Sequence, residues 1–515
     1  MLRAFFTVGA STLASRLLGF VRDILIAAYL GAGPVAEAFL VAFSLPNMFR
    51  RFFAEGAFNM AFIPLFSKKL ESGDDPKGFA QDAFAGMILV LSLFTVIGIV
   101  FMPALVTAMA SGFIGDKRFD LAVTYGRIAF SYILFISLAA LVSGVLNANR
   151  RFLAAAAAPV LLNVVFIATI IGSALSGADT PEALRAQVGM AMAWAVPVGG
   201  IAQLALVWFA AARAGFRLTI RRPRMTPELK RLAIIAAPAA LAGGVVQINL
   251  LVGRQVASFY DGAIAWLNYA DRLYQLPLGV VGIAIGVVLL PELSRRLGAA
   301  DTVGGRYAFN RAAEMALTLT VPSAVAFLVM PLPLVNVLFQ RGAFGADDAA
   351  ATALALAVYG LGLPAFVLQK VLQPLYFARE DTRSPFRFAM VSLVVNAALA
   401  VGLMPLIGFM AAAIGTTVAG WAMVWLLVRG GRKMGEAASF DDRFRRRVWR
   451  IVVASLGMGL CLWLATLALG PVFGIAGLKY LALAALVAVG MGSYFVIGSA
   501  IGAFALSDIR GAVRR

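Results

Sequence analysis

The sequence predicts an all-α protein that crosses a membrane many times. Of its 515 residues, 62% are hydrophobic and 13% are charged, whereas soluble domains carry about 25% charged residues. The apolar runs are long enough for membrane-spanning helices and lack the short alternating segments of a membrane β-barrel. Lys and Arg are concentrated in every second connection between these runs, as in polytopic helical proteins.

The apolar runs define about fourteen candidate spans. Several spans are interrupted by Pro, which removes a helical hydrogen bond and so marks a candidate bend: Pro46, Pro277, Pro322 and Pro364. The spans cover residues 5–29, 36–66, 80–109, 121–148, 154–175, 187–212, 232–256, 263–291, 307–337, 348–374, 385–404, 408–428, 448–469 and 479–505.

The distribution of Lys and Arg predicts the orientation. Connections on one side hold 31 of these residues, those on the other side hold 5, and 8 lie within spans. By the positive-inside rule, both termini are cytoplasmic. The net charge of +19 therefore reflects topology and does not imply a nucleic-acid partner. The most basic connections, 213–231 and 429–450, are expected to set topology and to face anionic lipid headgroups.

Two pairs of segments indicate a weak internal repeat at an offset of roughly 230 residues. GAFNMAFIPLFSKKLESGD resembles GIAIGVVLLPELSRRLGAAD, and Tyr125–Gly126 aligns with Tyr359–Gly360. Six spans separate the copies, so the halves have the same orientation, as in transporters built from parallel repeats. Chance similarity between apolar sequences is the alternative.

Motifs for metal or nucleotide chemistry are absent from the sequence. The single Cys461 and the lack of His argue against a thiolate or imidazole metal site. We find no P-loop, no HExxH and no DDxxD motif. An enzyme acting on polyprenyl phosphates would need a catalytic acid or a metal cluster. The candidate acids in the cytoplasmic loops are interpreted as solvated loop acids, so this hypothesis is the least favoured: Asp74, Asp75, Asp441 and Asp442.

Arginines inside the first two spans are the most informative residues: Arg16, Arg22, Arg50 and Arg51. An Arg at the bilayer centre costs about 2.5–3.5 kcal/mol on insertion scales. A water-filled cavity would remove this cost, and a basic cavity favours an anionic substrate. Because the guanidinium donates two parallel hydrogen bonds, several Arg residues could hold a pyrophosphate without metal. The alternative is that they pair with acids and lock helices together.

Polar neighbours accompany these arginines. In the first span, Arg16 and Asp23 are expected to share one helical face, as are Ser15 and Arg22, because seven residues are close to two turns. Asp23 is therefore a candidate partner for either Arg.

The second and eighth spans carry further charges. Arg51 and Glu55 form an i,i+4 pair, and Arg50 follows Asn47, where Pro46 leaves backbone carbonyls free. Glu37 lies near the outer end of the second span. In the eighth span, Asp271 and Arg272 precede Pro277. Arg16, Arg22, Arg50 and Arg272 are the favoured functional residues, because they lie far from span ends in corresponding regions of the two halves.

Several motifs together resemble one known family. SRLLGFVRD, AFLVAFSLPNMFRRFFAEGAF, NYADRLYQLPLG, VLFQRGAF and YFAREDTRSP occur in this order. They are similar to those of the MurJ (MviN) lipid II flippases of the MOP exporter superfamily, and the resemblance covers essentially the whole chain.

The resemblance implies a fold and a function. Two six-helix lobes, 1–220 and 221–432, would surround a central cavity, and residues 433–515 would form two helices with a groove for the lipid tail. The protein would move lipid II, the undecaprenyl-pyrophosphate-linked peptidoglycan precursor, from the cytoplasmic to the periplasmic leaflet of the inner membrane. Alternating access of the lobes would carry it.

The resemblance also implies site residues. Arg16, Arg22, Arg50 and Arg272 match the family's cavity arginines, and Ser15 and Asp23 match its first-helix Ser and Asp. Ser15 is a substrate-binding candidate, and we add Asn47 as another. Gating or charge pairing is expected from Asp23, Glu37, Arg51, Glu55 and Asp271. This chain departs from the family at Gln275, where an acid is frequent, which makes the cavity more positive and puts a gating acid there in doubt.

No cofactor is expected. Without an ATPase domain, the energy must come from the membrane potential, from a gradient of H⁺ or Na⁺, or from substrate consumption. Membrane lipids and other cell-wall synthesis proteins are the further candidate partners. A flippase for another polyprenyl-linked glycan and a MATE-like exporter remain as alternatives, although an exporter of cations would need an acidic cavity.

Overall fold

The computed structural model describes residues 2–50, 57–299, 301–475 and 477–504. Within these ranges, side chains are described outside 2–7, 57–60, 236–250 and 280–288. All regular secondary structure in the described residues is helical, which confirms the all-α prediction. The helices are α1 Leu2–Leu30, α2 Pro34–Arg50, α3 Ala57–Ser72, α4 Pro76–Val100, α5 Met102–Met109, α6 Lys117–Ala129, α7 Tyr132–Ala148, α8 Leu153–Leu175, α9 Pro181–Arg213, α10 Pro227–Ser258, α11 Ala263–Gly298, α12 Thr302–Val329, α13 Pro331–Leu338, α14 Ala346–Phe377, α15 Arg383–Ile407, α16 Met410–Gly431, α17 Asp442–Phe473 and α18 Leu478–Ala500.

Ten stretches of the described residues are long and apolar enough to cross a membrane. They coincide with ten of the fourteen predicted spans and include the pair α6–α7 as a single stretch. The other four predicted spans, 5–29, 36–66, 232–256 and 263–291, are helical where described, but each includes residues outside the full description. The multi-pass fold is therefore confirmed, while the number fourteen stays a prediction.

Several loop-to-helix junctions are fixed by side-chain caps. Asp75, Thr180, Thr226, Asp301 and Asp441 each accept a hydrogen bond from a backbone N–H in the first turn of the helix that follows. In the first three, a Pro begins the helix, where its missing N–H removes no helical bond. Asp75 and Asp441 are therefore helix caps. Asp75 is exposed, as expected for a solvated loop acid, whereas Asp441 is partly buried and pairs with Arg311, so the prediction of a solvated acid was wrong for Asp441.

The four Pro residues predicted to mark bends all lie inside helices. Pro46 belongs to α2, Pro277 to α11, Pro322 to α12 and Pro364 to α14. Asn47 occupies the position after the first of them, and its Nδ2 donates to the carbonyl of Phe43 at 2.8 Å. The amide of Asn47 thus bonds its own helix one turn back.

The chain divides into two compact units. Unit 1 contains Met1–Ala265 with Arg341–Phe344, and unit 2 contains Trp266–Gln340 with Gly345–Arg515. The boundary falls after α10 because α10 packs against α3 in unit 1, where Leu232 joins the apolar core. The predicted lobe limits 1–220, 221–432 and 433–515 stay predictions.

Each unit contains a short helix of 8 residues followed by a loop and a further helix. In unit 1 these are α5 and α6, and in unit 2 they are α13 and α14, at an offset close to the predicted 230 residues. The aligned glycines both lie at close contacts between helices. A Cβ on Gly126 would lie 2.6 Å from the Met102 sulfur, and one on Gly360 would lie 2.8 Å from the Phe327 Cβ. This correspondence supports the repeat.

Candidate functional site

Arg22 is a buried cation on α1 that is already bound within unit 1. Its Nε and Nη2 donate to Asp23 Oδ1 at 3.0 and 2.8 Å. The two residues are only 8% and 4% exposed. The guanidinium also lies against the rings of Phe43 and Phe166, whose centroids are 5.9 and 5.5 Å from its central carbon. Its charge is therefore compensated in place.

Asn163 of α8 completes this arrangement, which we call the Arg22 network: Ser15, Arg22, Asp23 and Asn163. Asn163 Oδ1 accepts from Arg22 Nη1 at 3.0 Å, and Asn163 Nδ2 donates to the Ser15 carbonyl at 3.0 Å. Ser15 and Arg22 therefore share one face, as predicted. The role of Asn163 was not predicted from the sequence, although a single amide side chain within the apolar run of α8 could have indicated it.

Arg16 behaves differently from Arg22. It is exposed on α1 between Leu13 and Leu17, which are each 60% exposed. Within the part of the chain that the structure describes, Arg16 makes no hydrogen bond and no ion pair. Asp23 pairs with Arg22, so the option that it neutralises Arg16 is not realised. Arg16 is thus the first-span arginine whose charge is available.

The end of α2 holds Arg50, which is partly buried. Arg51 and Glu55, predicted to pair with each other, lie outside the described residues. Asn47 lies one turn before Arg50 on the same helix, with its Nδ2 held by the backbone as described above.

Glu37 at the start of α2 is buried in an ionic cluster of unit 1, which we call the Glu37 cluster. Arg118 Nη1 lies 3.1 Å from Glu37 Oε2, and the backbone N–H of Ile264 donates to Oε1 at 3.1 Å. The same guanidinium binds Asp116 at 2.6 Å and Asp261 at 2.9 Å. A charge-pairing role for Glu37 matches this geometry.

Arg118 differs from the prediction that it is a loop cation on the outer side. It is 5% exposed, with the Phe113 ring 4.6 Å from its guanidinium carbon. Asp116, which precedes α6, responds to this neighbour. Burial raises the pKa of Asp116. Hydrogen bonds from the Arg118 backbone N–H and guanidinium lower this pKa by more than burial raises it, so the net pKa lies below the usual 3.8.

Arg272 lies on α11 in unit 2 and is partly buried, as is Asp271. The side-chain amide of Gln275 donates to the Asp271 carboxylate one turn away. Gln275 thus binds the neighbouring acid instead of adding a second one. Tyr274 packs against Tyr359 and Phe366, with ring centroids 5.5 and 5.9 Å away, and fixes this part of α11 in the aromatic core of unit 2.

A buried acid of unit 2, Glu314, was not predicted. Glu314 of α12 lies 2.7 Å from Arg311, 3.6 Å from Arg443 and 3.4 Å from Arg447, and Arg311 also reaches Asp441 at 2.5 Å. We call this group the Glu314 cluster. It joins α12 to the start of α17, so arginines counted only as topology signals also hold helices together.

No set of three or more Asp, Glu, Cys or His side chains in the described residues could hold a metal ion. The long apolar helices with buried ion pairs define the chain as a multi-pass helical membrane protein. The arrangement provides cations on apolar helices.

Comparison with known proteins identifies the family. The family model "Lipid II flippase MurJ" matches residues 26–486. A "Probable lipid II flippase MurJ" from Rhizobium meliloti (strain 1021) is 44% identical over 100% of this chain and 96% of its own length. The "Lipid II flippase MurJ" of Burkholderia cenocepacia is 37% identical, covering 90% of each chain. The chain belongs to the MurJ lipid II flippase family.

Solved structures agree with this assignment. The structure described as "Lipid II flippase MurJ, inward closed conformation" superposes with a TM-score of 0.78 at 25% identity, covering 96% of this chain and 98% of that one. A MATE family transporter of the MOP superfamily superposes with a TM-score of 0.66 at 15% identity, covering 82% and 95%, which shows the shared fold. The family consists of transporters, so the chain is not an enzyme.

Proposed function

We propose that this protein is a lipid II flippase, which moves the polyprenyl-pyrophosphate-linked precursor from the cytoplasmic to the periplasmic leaflet. The observation that carries the proposal is the match to the MurJ family across residues 26–486, together with a relative that is named a lipid II flippase. The superposition with a MurJ structure over 96% of the chain supports it.

Arginines are proposed to bind the pyrophosphate. Arg16 is the primary candidate, because it is exposed on an apolar helix and has no partner in the described structure. Arg50 and Arg272 would add charge-assisted hydrogen bonds, with the amide of Asn47 as a further contact. Arg22 has three of its five N–H groups engaged, so its proposed role is to present the remaining two from a fixed position.

Alternating access is the proposed mechanism, in the inner membrane with both termini in the cytoplasm. Energy coupling to the membrane potential is physically reasonable, because one charge crossing 100 mV corresponds to about 2.3 kcal/mol. A gradient of H⁺ or Na⁺ is the other candidate source. The Glu37 cluster is a proposed charge-pairing element that stabilises one conformation of unit 1.

A complementation experiment tests the function and the role of Arg16 together. The chain, with Arg16→Ala, Arg16→Lys and the control Arg185→Ala, is expressed in a bacterium depleted of its own lipid II flippase. Growth and the amount of lipid II accessible at the outer leaflet are measured. Loss of a charge-assisted contact of about 1.5–3 kcal/mol lowers substrate affinity about 10- to 100-fold.

We expect Arg16→Ala to fail, Arg16→Lys to be impaired because Lys lacks the planar fork, and Arg185→Ala to grow normally. Membrane levels of each variant, measured by immunoblot, exclude misfolding. Normal flipping by Arg16→Ala would refute the binding role. Failure of the unaltered chain, with outer-leaflet accumulation only of another polyprenyl-linked glycan, would refute lipid II as substrate.

A further inference from the structure

A cleft opens at one end of unit 2, between α14, α16 and the segment that leads into α17. Its wall is apolar and includes Leu372, Leu375 and Phe440. A second depression adjoins it and shares Arg432 with it. The arrangement has the form of a lipid site, with an apolar wall below a charged rim.

Three exposed arginines form that rim. Arg432 and Arg445 line the cleft, and Arg429 lines the adjoining depression. Neither Arg432 nor Arg445 is paired with a carboxylate in the described residues, whereas Arg443 and Arg447, on the same helix as Arg445, bind Glu314. Glu314 compensates the charge of Arg443 and Arg447, whereas the charge of the rim arginines is available to an anion from outside the protein.

Trp425 indicates the depth of the rim in the membrane. It is 57% exposed on α16, and the Arg429 guanidinium carbon lies 5.1 Å from its ring centroid. Exposed Trp is typical of the interface between hydrocarbon and water. The positive-inside rule assigns this end of α16 to the cytoplasmic side, where the leaflet carries anionic lipid.

We propose that the cleft binds one anionic phospholipid of the inner leaflet. The phosphate contacts Arg432 and Arg445, and the upper part of an acyl chain lies against Val428 and Phe440, which are partly exposed, whereas Leu372 beneath them is buried. A glycan-bearing pyrophosphate fits less well, because Ser439 is the only uncharged polar side chain among the lining residues. The proposal does not depend on which substrate the protein transports.

Native mass spectrometry of the full-length protein in detergent tests the site. The probes are dioleoyl phosphatidylglycerol and, as the zwitterionic match, dioleoyl phosphatidylcholine. We expect Arg432→Gln with Arg445→Gln to weaken phosphatidylglycerol binding at least about tenfold, because each Arg near an anionic headgroup contributes about 1 kcal/mol. The matched control is Arg446→Gln, which removes an exposed Arg one residue away and outside the cleft.

Each other outcome overturns the proposal. Equal weakening by Arg446→Gln would indicate diffuse surface charge. Equal binding of phosphatidylcholine would exclude recognition of net negative charge. Displacement of the lipid by inorganic phosphate alone at millimolar concentration would indicate a site for free phosphate, and preferential binding of undecaprenyl pyrophosphate would indicate a substrate site.

A Trp fluorescence measurement tests the same site in protein whose arginines are unaltered, so that misfolding of the Arg variants cannot affect the result. Brominated phosphatidylglycerol should quench the protein's Trp emission more than brominated phosphatidylcholine does, and Trp425→Phe should abolish this difference. Equal quenching by both lipids, or a difference that survives Trp425→Phe, would place the bound lipid elsewhere.

Discussion

Replacing Asn163 with Ala should destabilise unit 1, because Asn163 joins α8 to the buried Arg22 of α1. The substitution removes the acceptor 3.0 Å from Arg22 Nη1 and the donor 3.0 Å from the Ser15 carbonyl. It leaves both groups in an interior where Asn163 itself is only 6% exposed. Water that could replace the amide would have to enter a site lined by Phe43 and Phe166.

The expected loss is about 1–3 kcal/mol. A hydrogen bond to a charged group contributes about 1.5–3 kcal/mol in soluble proteins. Interhelical hydrogen bonds within membranes average only about 0.6 kcal/mol and reach about 1.7. Asn163 loses one hydrogen bond to the Arg22 guanidinium and one to the Ser15 carbonyl, so the loss of stability should lie between these two estimates. The third bond, to the carbonyl of Pro159 at 3.2 Å, lies within α8 and contributes least.

The assay is reversible unfolding in mixed micelles, followed by Trp fluorescence. The control is Ser173→Ala on the same helix, whose hydroxyl has no hydrogen-bond partner in the described structure, so that its effect should stay within about 0.5 kcal/mol. A double-mutant cycle with Arg22→Met should give a coupling energy of about 1 kcal/mol. Additive effects of Asn163→Ala and Arg22→Met, within about 0.5 kcal/mol, would refute the reasoning.

Two further predictions concern the Glu37 cluster. Arg118→Met should destabilise the protein by about 3–5 kcal/mol, because it leaves the Glu37 carboxylate buried without its cation. Unfolding titrations measure this loss, with Lys117→Met at the exposed neighbouring position as the control. Equal losses of stability in the two variants would contradict the prediction. The pKa of Asp116 is lower in the folded state than the usual 3.8, so its ion pair stabilises the fold fully at pH values above 3.8. This stabilisation is lost as the pH falls through the lowered pKa. Asp116→Asn should therefore reduce the acid dependence of the unfolding midpoint between pH 6 and 3, and an unchanged dependence would exclude this group.

Local spacing predicted the parts of the site that lie on one helix. The seven-residue separation of Ser15 and Arg22 placed both on the face that meets Asn163. The apolar runs predicted the spans in the same way, because length and hydropathy are local properties.

Contacts between distant segments could not be predicted in this way. Arg22 and Asn163 are separated by 141 residues, and Glu37 and Arg118 by 81. Counting Lys and Arg assigns a side of the membrane but does not distinguish an exposed cation from a buried one, so it wrongly predicts Arg118 to be a loop cation. For the same reason Asp441, which caps α17 and binds Arg311, was read as a solvated acid.

The ion pairs change how the charge of the candidate site is counted. Before pairing is considered, Arg16 and Arg22 are equivalent cations on one apolar helix. In the structure, Asp23 compensates Arg22, while Glu37 compensates Arg118 and not an arginine of α1 or α2. An anionic substrate would gain full Coulombic attraction from Arg16 but compete with Asp23 for Arg22. The two arginines should therefore differ in role: Arg16 contributes most of the affinity, and Arg22 presents its two remaining N–H groups from a fixed position.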